Sequence, residues 1–255
     1  MAKTTDILAC DVGSSRIAMG RVCDEQASGV RRVGAADASA LAEAMAALWG
    51  DGPSPARIVA SSVHPGNLAA LEAAAGTLGQ EILLVGRDLP LPISTDLPAP
   101  EKIGVDRLCE AAMAYFRLER ACVVADFGTA VTIDCVSDDG VFLGGAILPG
   151  LAMGAAALAS GTASLPRVEL ARPDWVFGRD TREAIVGGLV FGARGAMREL
   201  TEAYATQLGQ WPPVIVTGGD GELVAAGCDF VHAVVPDLCL LGVALAYRVA
   251  KADRK

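Results

Sequence analysis

Two short turns in the chain combine an aspartate, a glycine and hydroxyl side chains at the end of a run of β-forming residues. The first is ILACDVGSSRIAMG, with Asp11 and Gly13, and the second is VVADFGTAVTID, with Asp126 and Gly128. Glycine lets backbone N–H groups approach a phosphate closely, and Ser or Thr hydroxyls add donors. A carboxylate repels phosphate, so it would instead hold a cation, or its water shell, that bridges to a nucleotide. Two such turns facing each other would grip a triphosphate.

A single turn of the form D-x-G-[ST] is more often a plain hairpin turn than a binding site. This chain holds two, 115 positions apart, at equivalent places in two similar series of predicted elements. The segment VTGGDGE at 216–222 adds a strand-to-helix glycine loop of the kind that admits a nucleoside. No GxxxxGK[ST] or GxGxxG motif follows a predicted strand, which excludes P-loop and Rossmann sites. We therefore interpret the paired turns as a nucleotide site.

The elements that must position these turns repeat a common order. Each series predicts a strand, the acidic turn, a second strand, a third strand, and later a strand, loop and helix, as in PARIVASSVHPGNLAALEAA and PPVIVTGGDGELVAAG. The proline-rich segment 88–103 predicts an extended connector. The uncharged segment 141–166 predicts a buried strand, a tight turn and a small-residue helix. We predict an α/β fold with two halves, 1–118 and 119–255, each a mixed sheet flanked by helices.

Composition excludes several classes of protein. The formal net charge of −9 and the scattered basic residues argue against a nucleic-acid binder. Seven cysteines without a CxxC pair are typical of a reduced, cytosolic chain. The N-terminus shows no signal-peptide pattern, and segment 141–166 is too rich in Gly, Ala, Ser and Thr, with an interior proline, to favour a membrane span. His64 and His232 have no metal-spaced partner and are interpreted as non-catalytic.

The ordered set of motifs resembles the type III pantothenate kinase family, within the superfamily of acetate kinase, sugar kinases, Hsp70 and actin. The resemblance covers nearly the whole chain, and each motif alone is weak. The matching segments are DVGSSRIAMG, SSVHP, PEKIGVDR, DFGTAVTID, GGAILPG, TASLP, DTREAIVGG and VTGGD. The resemblance implies two duplicated ribonuclease H-like, or actin-like ATPase, halves.

The resemblance also implies roles for individual residues. It makes Asp106 the general base toward the substrate hydroxyl, Asp126 a ligand of a monovalent cation, and Asp11 a residue on the Mg²⁺–ATP side, possibly through water. The implied ATP-binding residues are Asp11, Val12, Gly13, Ser14, Ser15, Arg16, Ile17, Ala18 and Thr129. The implied substrate-binding residues are Leu97, Gly104, Val105, Asp106, Arg107 and Thr181.

From spacing alone, other interpretations of these residues stay open. Asp106 opens a predicted helix, where a carboxylate is ordinarily a capping device, and Thr181 is equally a helix-start hydroxyl. Two positions depart from the family pattern. Ser14 stands where the family usually has Asn, which keeps a hydroxyl and loses the amide. Leu97 stands where the family commonly has Tyr, which keeps an apolar wall and loses a hydrogen bond.

The implied activity is ATP-dependent phosphorylation of pantothenate to 4′-phosphopantothenate, the first step of coenzyme A biosynthesis. The implied cofactors are Mg²⁺ with ATP and K⁺ or NH₄⁺ as activator, in a cytoplasmic homodimer that binds neither nucleic acid nor membrane. Two alternatives stay open: a kinase of the same fold that acts on another small hydroxy compound, and a non-catalytic regulatory relative.

Overall fold

The computed structural model describes residues 6–50 and 54–252, which form two compact units. Of these, residues 6–50, 54–117 and 237–252 form one unit, and residues 118–236 form the other. The strands are β1 (Ile7–Val12), β2 (Arg16–Cys23), β3 (Gln26–Gly34), β4 (Ile58–Ser62), β5 (Ile82–Leu84), β6 (Ser94–Thr95), β7 (Cys122–Phe127), β8 (Ala130–Val136), β9 (Val141–Pro149), β10 (Val214–Thr217) and β11 (Val231–Val234). The helices are α1 (Ala38–Gly50), α2 (Pro65–Thr77), α3 (Val105–Leu118), α4 (Leu151–Gly161), α5 (Thr181–Leu208), α6 (Gly221–Ala225) and α7 (Leu238–Ala252).

The first unit is built on a mixed sheet with the strand order β3-β2-β1-β4-β5. Strand β1 pairs antiparallel with β2 and parallel with β4, so Asp11 lies opposite Ala18 on one side and Ser61 on the other. Because β1 is central and covered on both faces, it reads as a continuous apolar run that stops at the aspartate. Its residues before Asp11 are buried, and Leu8 and Cys10 belong to the core shared with α1 and α2.

The second unit repeats this plan, with its own strands in the order β9-β8-β7-β10-β11. Strand β7 pairs antiparallel with β8 and parallel with β10, so Asp126 lies opposite Thr132 on one side and Thr217 on the other. Pairing and direction therefore match the first sheet strand by strand. The predicted α/β fold of two similar halves, each a mixed sheet with flanking helices, is confirmed.

The compact units differ from the predicted halves at the C-terminus. The prediction placed residues 119–255 together and gave no element beyond residue 227, whereas α7 groups with the first unit and packs on β1, β2 and β4. Helix α7 also lies close to α3 at Gly242, where a Cβ would collide with the Cys109 carbonyl. Most of α7 is buried, and its first six residues, Leu238 to Val243, form an uninterrupted buried run.

Two local predictions met different outcomes. Helix α2 was expected to begin after the loop SVHPGN, but it begins at Pro65, because His64 caps it by accepting a hydrogen bond from the Asn67 backbone N–H. Proline suits the first helical position, where no N–H is needed. Segment 141–166 folds as predicted into a strand, a turn at Gly150 and the helix α4.

No helix within residues 6–50 and 54–252 combines the length and the apolarity needed to cross a bilayer. Residues 1–5, on which the expectation of no signal peptide partly rests, lie outside the described residues.

Candidate active site

The first acidic turn connects β1 to β2 and is closed by a backbone hydrogen bond of 3.1 Å from Gly13 N–H to the Arg16 carbonyl. Asp11 occupies the last position but one of β1, where the Ser61 hydroxyl donates to its Oδ1 over 2.9 Å. The Ser61 oxygen also lies 3.4 Å from the sulfur of Cys239 on α7. Ser61 is fully buried, so this contact fixes one face of the Asp11 carboxylate.

A second carboxylate, that of Asp106, lies close enough to Asp11 to change its ionisation. The pKa of Asp11 is raised to about 6, first because of burial and second because of the negative charge of Asp106. Hydrogen bonds from Ser61 and Cys239 and the positive charge of Arg32 act in the opposite direction. The structure therefore brings together the two carboxylates that the sequence placed 95 positions apart.

Asp106 is held at the start of α3 by local backbone geometry. Its Oδ1 accepts a hydrogen bond of 2.8 Å from the Arg107 backbone N–H, and a Cβ at position 104 would collide with the same oxygen. Gly104 is therefore needed for the carboxylate to take this position. The predicted G-x-D-R motif works as one unit, in which glycine makes the space and the next N–H orients the acid.

The other residues predicted for the first turn differ in what they can offer a ligand. Val12 and Ile17 are fully buried in the core, so only their backbone atoms are available to a nucleotide. Ser14, Ser15 and Arg16 are exposed, whereas Ala18 and Leu97 are partly buried. Leu97 lies in the extended stretch before the 3₁₀ helix Pro100–Lys102, and its N–H donates to Thr95 Oγ1 over 3.2 Å.

The second acidic turn connects β7 to β8 and is one residue tighter, closed by a 3.1 Å bond from Gly128 N–H to the Ala130 carbonyl. Gly218, which follows β10, has a φ of +89° and lies against Asp126 so closely that a Cβ would collide with Oδ1. The turn also packs against Gly150, where a Cβ would collide with the carbonyl oxygens of Gly128 and Thr129. Backbone of two glycines thus surrounds this turn.

A buried hydroxyl without a hydrogen-bond partner accompanies Asp126. Within residues 6–50 and 54–252, Thr132 Oγ1 is one of two buried side-chain polar atoms for which no such partner is found. Thr132 lies directly opposite Asp126 in the antiparallel pair of β7 and β8. Directly opposed residues project to the same face of a sheet, so the lone oxygen and the carboxylate share one surface.

Thr181 is the first residue of α5 and is exposed. The capping role that sequence alone left open for it belongs to Asp180, whose side chain accepts from the Glu183 N–H over 2.8 Å. Glu183 Oε2 in turn accepts from the Arg179 N–H over 2.7 Å, one residue before the cap. The Thr181 hydroxyl is therefore not required to cap the helix.

Thiol chemistry is disfavoured at this site, although two cysteines lie near Asp11. The pKa values of Cys109 and Cys239 are raised well above 9.0, first by burial and then by the charge of Asp11. A neutral buried thiol is a poor nucleophile. Among the described residues, no group of three or more His, Cys, Asp or Glu side chains could hold a metal ion.

The sequence missed the residues that support the acidic turns. Ser61 and Thr132 were recognised only as parts of the motifs SSVHP and DFGTAVTID, and Cys239 had no signal beyond being a small residue in an apolar segment. The two turns belong to separate compact units, and their predicted face-to-face arrangement stays a prediction.

Comparison with known families adds the deciding observation. Residues 7–203 match the sequence profile of the type III pantothenate kinase family. The chain belongs to that family. A type III pantothenate kinase from Dehalococcoides mccartyi is 38% identical over 170 residues, which cover 67% of this chain and 66% of that relative. The matched part therefore spans just under two thirds of this relative's length.

Another type III pantothenate kinase, from Saccharopolyspora erythraea, is 35% identical and extends the match to 94% of this chain and 97% of its own length. Among solved structures, a protein from Campylobacter jejuni assigned to the Baf family of transcriptional activators superposes with a TM-score of 0.61 at 20% identity, and the match covers 97% of this chain and 98% of that one. At this identity the likeness shows the fold alone, which is the actin-like ATPase fold expected of the kinase family.

Proposed function

We propose that this chain is an ATP-dependent kinase that transfers a phosphoryl group to the 4′-hydroxyl of pantothenate, the first step toward coenzyme A. The observation that carries the proposal is the pair of Asp11 and Asp106, which converge beside a glycine turn in a chain that belongs to the type III pantothenate kinase family. Phosphoryl transfer requires a phosphate-binding turn, charge neutralisation and a proton acceptor near the nucleophile.

Asp106 is the proposed general base. The Arg107 N–H donates to Asp106 Oδ1 and so fixes the orientation of the carboxylate at the start of α3. A carboxylate held in this way can accept the proton of a substrate hydroxyl as that hydroxyl attacks the γ-phosphorus. The proposed substrate-binding residues are Leu97, Gly104, Val105, Asp106, Arg107 and Thr181. Arg107 offers a cation for the substrate carboxylate, because guanidinium pairs with carboxylate in a bidentate geometry.

The proposed ATP-binding residues are those of the first turn, Asp11 to Ala18, together with Thr129. The residues present fit a divalent cation that accompanies ATP. Burial, and after it the negative charge of Asp106, raises the pKa of Asp11, and a hard cation such as Mg²⁺ favours charged oxygen ligands. Asp11 would hold Mg²⁺ on the ATP side, directly or through water, and the ion would neutralise phosphate charge.

The second turn fits a monovalent cation, K⁺ or NH₄⁺. Asp126 supplies a charged oxygen, and Thr132 Oγ1 is a buried oxygen on the same face that has no hydrogen-bond partner among the described residues. A Cβ at Gly218 or at Gly128 would lie against the Asp126 oxygens, so glycine at both positions allows the carboxylate to lie where it does. We further propose a cytoplasmic homodimer, in keeping with the free cysteines, and with exposed Val176 and Phe177 as an apolar contact surface.

The decisive experiment is a coupled ADP-release assay with the purified chain, ATP, Mg²⁺ and pantothenate, with and without K⁺. We expect pantothenate-dependent ADP release that K⁺ increases, and a product whose mass equals that of phosphopantothenate. Omission of pantothenate measures ATP hydrolysis alone. A panel of other small hydroxy compounds tests the alternative suggested by Leu97. Turnover of one of those compounds but not pantothenate would refute the proposed substrate, and no transfer to any acceptor would favour a non-catalytic relative.

A further inference from the structure

The amide of Asn67 makes an unusual pair of contacts with the first acidic turn. Its Nδ2 donates to the Gly13 carbonyl over 2.8 Å and to the Ser14 carbonyl over 3.1 Å. One amide nitrogen therefore donates to two consecutive backbone oxygens. Asn67 is the only asparagine in the 255-residue chain, and no sequence motif marked it.

Asn67 is itself held in place. It lies in the first turn of α2, and its backbone N–H donates to Nδ1 of His64, the residue that caps this helix, over 3.1 Å. Pro65 fixes the first helical position. A side chain with few remaining degrees of freedom loses little entropy when it makes its bonds, so the contact with the turn is preorganised.

The two contacted carbonyls determine where the next two N–H groups point. A trans peptide unit is planar, so its C=O and N–H point in opposite directions, and the described residues contain no cis peptide bond. The Gly13 carbonyl shares a peptide unit with the Ser14 N–H, and the Ser14 carbonyl shares one with the Ser15 N–H. Directing both carbonyls toward Asn67 turns both N–H groups away from α2. It also removes two negative dipole ends from the face that would meet phosphate.

We propose that Asn67 is a positioning residue for nucleotide binding, which sets the orientation of the Ser14 and Ser15 N–H groups so that they can donate to a phosphate of ATP. Successive backbone N–H groups that converge on one point form an anion site. This inference rests on the proposed function, since it assumes that the first turn binds nucleotide phosphates.

A simpler role for Asn67 would be to fasten α2 to the sheet. Two backbone hydrogen bonds already secure this region: Val63 N–H donates to the Val12 carbonyl over 3.2 Å, and Gly13 N–H donates to the Arg16 carbonyl over 3.1 Å. Neither requires the Asn67 side chain. A purely fastening role predicts a loss of stability without a selective effect on nucleotide, whereas a positioning role predicts the selective effect.

The test compares Asn67→Leu, which removes the amide with little change in volume or charge, with Asn67→Gln, which keeps both N–H donors on a longer side chain. Gln80→Leu is the matched control, because Gln80 donates its amide to the Leu78 carbonyl just beyond the other end of α2. We expect Asn67→Leu to raise the ATP dissociation constant about 10-fold, the effect of losing roughly one to two net hydrogen bonds. The KM for pantothenate should stay within about 2-fold, and Asn67→Gln should restore part of the ATP affinity.

The single asparagine also permits a measurement on the unmodified protein. Labelling with [¹⁵N]asparagine yields one side-chain NH₂ signal pair, which we expect to exchange slowly with water and to shift on addition of ATP but not of pantothenate. This result decides the matter even if Asn67→Leu fails to fold. An unshifted, fast-exchanging pair, or equal changes in both substrate constants, would overturn the proposal. ATP binding is measured without turnover, so a chain that binds ATP but does not phosphorylate pantothenate would refute only the proposed substrate.

Discussion

The two acidic turns have the same framework and different surroundings. In each, the aspartate lies near the end of the central strand of its sheet. The adjacent parallel strand places a buried hydroxyl residue opposite that aspartate, Ser61 for Asp11 and Thr217 for Asp126. In each, a backbone N–H just after that parallel strand donates to the carbonyl of the residue that follows the aspartate. Val63 donates to Val12 over 3.2 Å, and Asp220 donates to Phe127 over 3.0 Å.

Beyond this shared framework, the turns are supported by different means. The first has side-chain support, from Asn67 and Ser61, and a second carboxylate, Asp106, beside it. The second is enclosed by glycine backbone, at Gly218 and Gly150, and has a lone hydroxyl at Thr132. The repeated topology therefore explains why two carboxylates occupy equivalent positions, and the unlike neighbours explain how they could do different work.

The largest expected effect comes from removing the charge of Asp106, the second carboxylate beside the first turn. We expect Asp106→Asn to lower kcat by about 100- to 10,000-fold, the usual cost of losing a general base. The asparagine Oδ1 can still accept from the Arg107 N–H, so the fold and ATP binding should persist. Steady-state kinetics with a direct ATP titration checks both points, and near-normal turnover in the folded variant would refute the assignment.

Sequence reasoning succeeded where a pattern was local and failed where partners were distant. The turns at Asp11 and Asp126 were recognised because an apolar strand followed by Asp and Gly is a contiguous signal, and the repeated series of elements predicted two similar halves. Helix α7 was missed because it opens with an uninterrupted buried run, Leu238 to Val243, and such a run has no polar positions that would mark a helical period. Asn67 and Ser61 lie more than 45 positions from the turn they contact, so nothing in their neighbourhood signals that contact.

Glycine enclosure of the second turn predicts a stability effect without a parallel in the first. Gly218→Ala would place a Cβ against Asp126 Oδ1 and the Phe127 backbone, at a φ of +89° that disfavours side chains. We expect a loss of about 2–3 kcal/mol in the free energy of unfolding, since strain and steric overlap combine. Urea denaturation of Gly218→Ala and Gly219→Ala checks this. Nothing lies within 4 Å of a Cβ at Gly219, which should tolerate alanine at a cost of about 1 kcal/mol or less. Equal losses in the two variants would contradict the enclosure.

Ion dependence should separate the two carboxylates. We expect Asp126→Asn to reduce activation by K⁺ or NH₄⁺ about 10-fold, because a neutral amide is a weaker cation ligand, and Asp11→Asn mainly to raise the Mg²⁺ concentration needed for half-maximal rate. Initial rates measured against K⁺ and against Mg²⁺ for both variants give the answer. If the two variants change the K⁺ dependence and the Mg²⁺ dependence to the same extent, the two turns have a structural role rather than separate ion-binding roles.

The smallest effect concerns the cost of keeping Asp11 charged. Its pKa is raised from 3.8 to about 6 in the folded chain, so the folded state binds a proton more tightly than the unfolded state does. The stability that this proton provides is fully present below about pH 4 and is lost as pH rises through about 6. Asp11→Asn removes the charge that burial and Asp106 disfavour, while its amide oxygen can still accept from Ser61.

We therefore expect Asp11→Asn to be more stable than the unsubstituted chain at pH 8, by on the order of 1 kcal/mol, and this advantage to shrink toward pH 5. Asp88→Asn is the control of opposite sign, because the pKa of Asp88 is lowered, first by its hydrogen bond from Arg87 and second by the Leu84 N–H. Its loss should cost stability at pH 8. Thermal unfolding of the three proteins from pH 5 to pH 8 makes the comparison. An Asp11→Asn variant that is less stable at pH 8 would show that the carboxylate helps to hold the turn together, and that the first turn does not trade stability for a charged site.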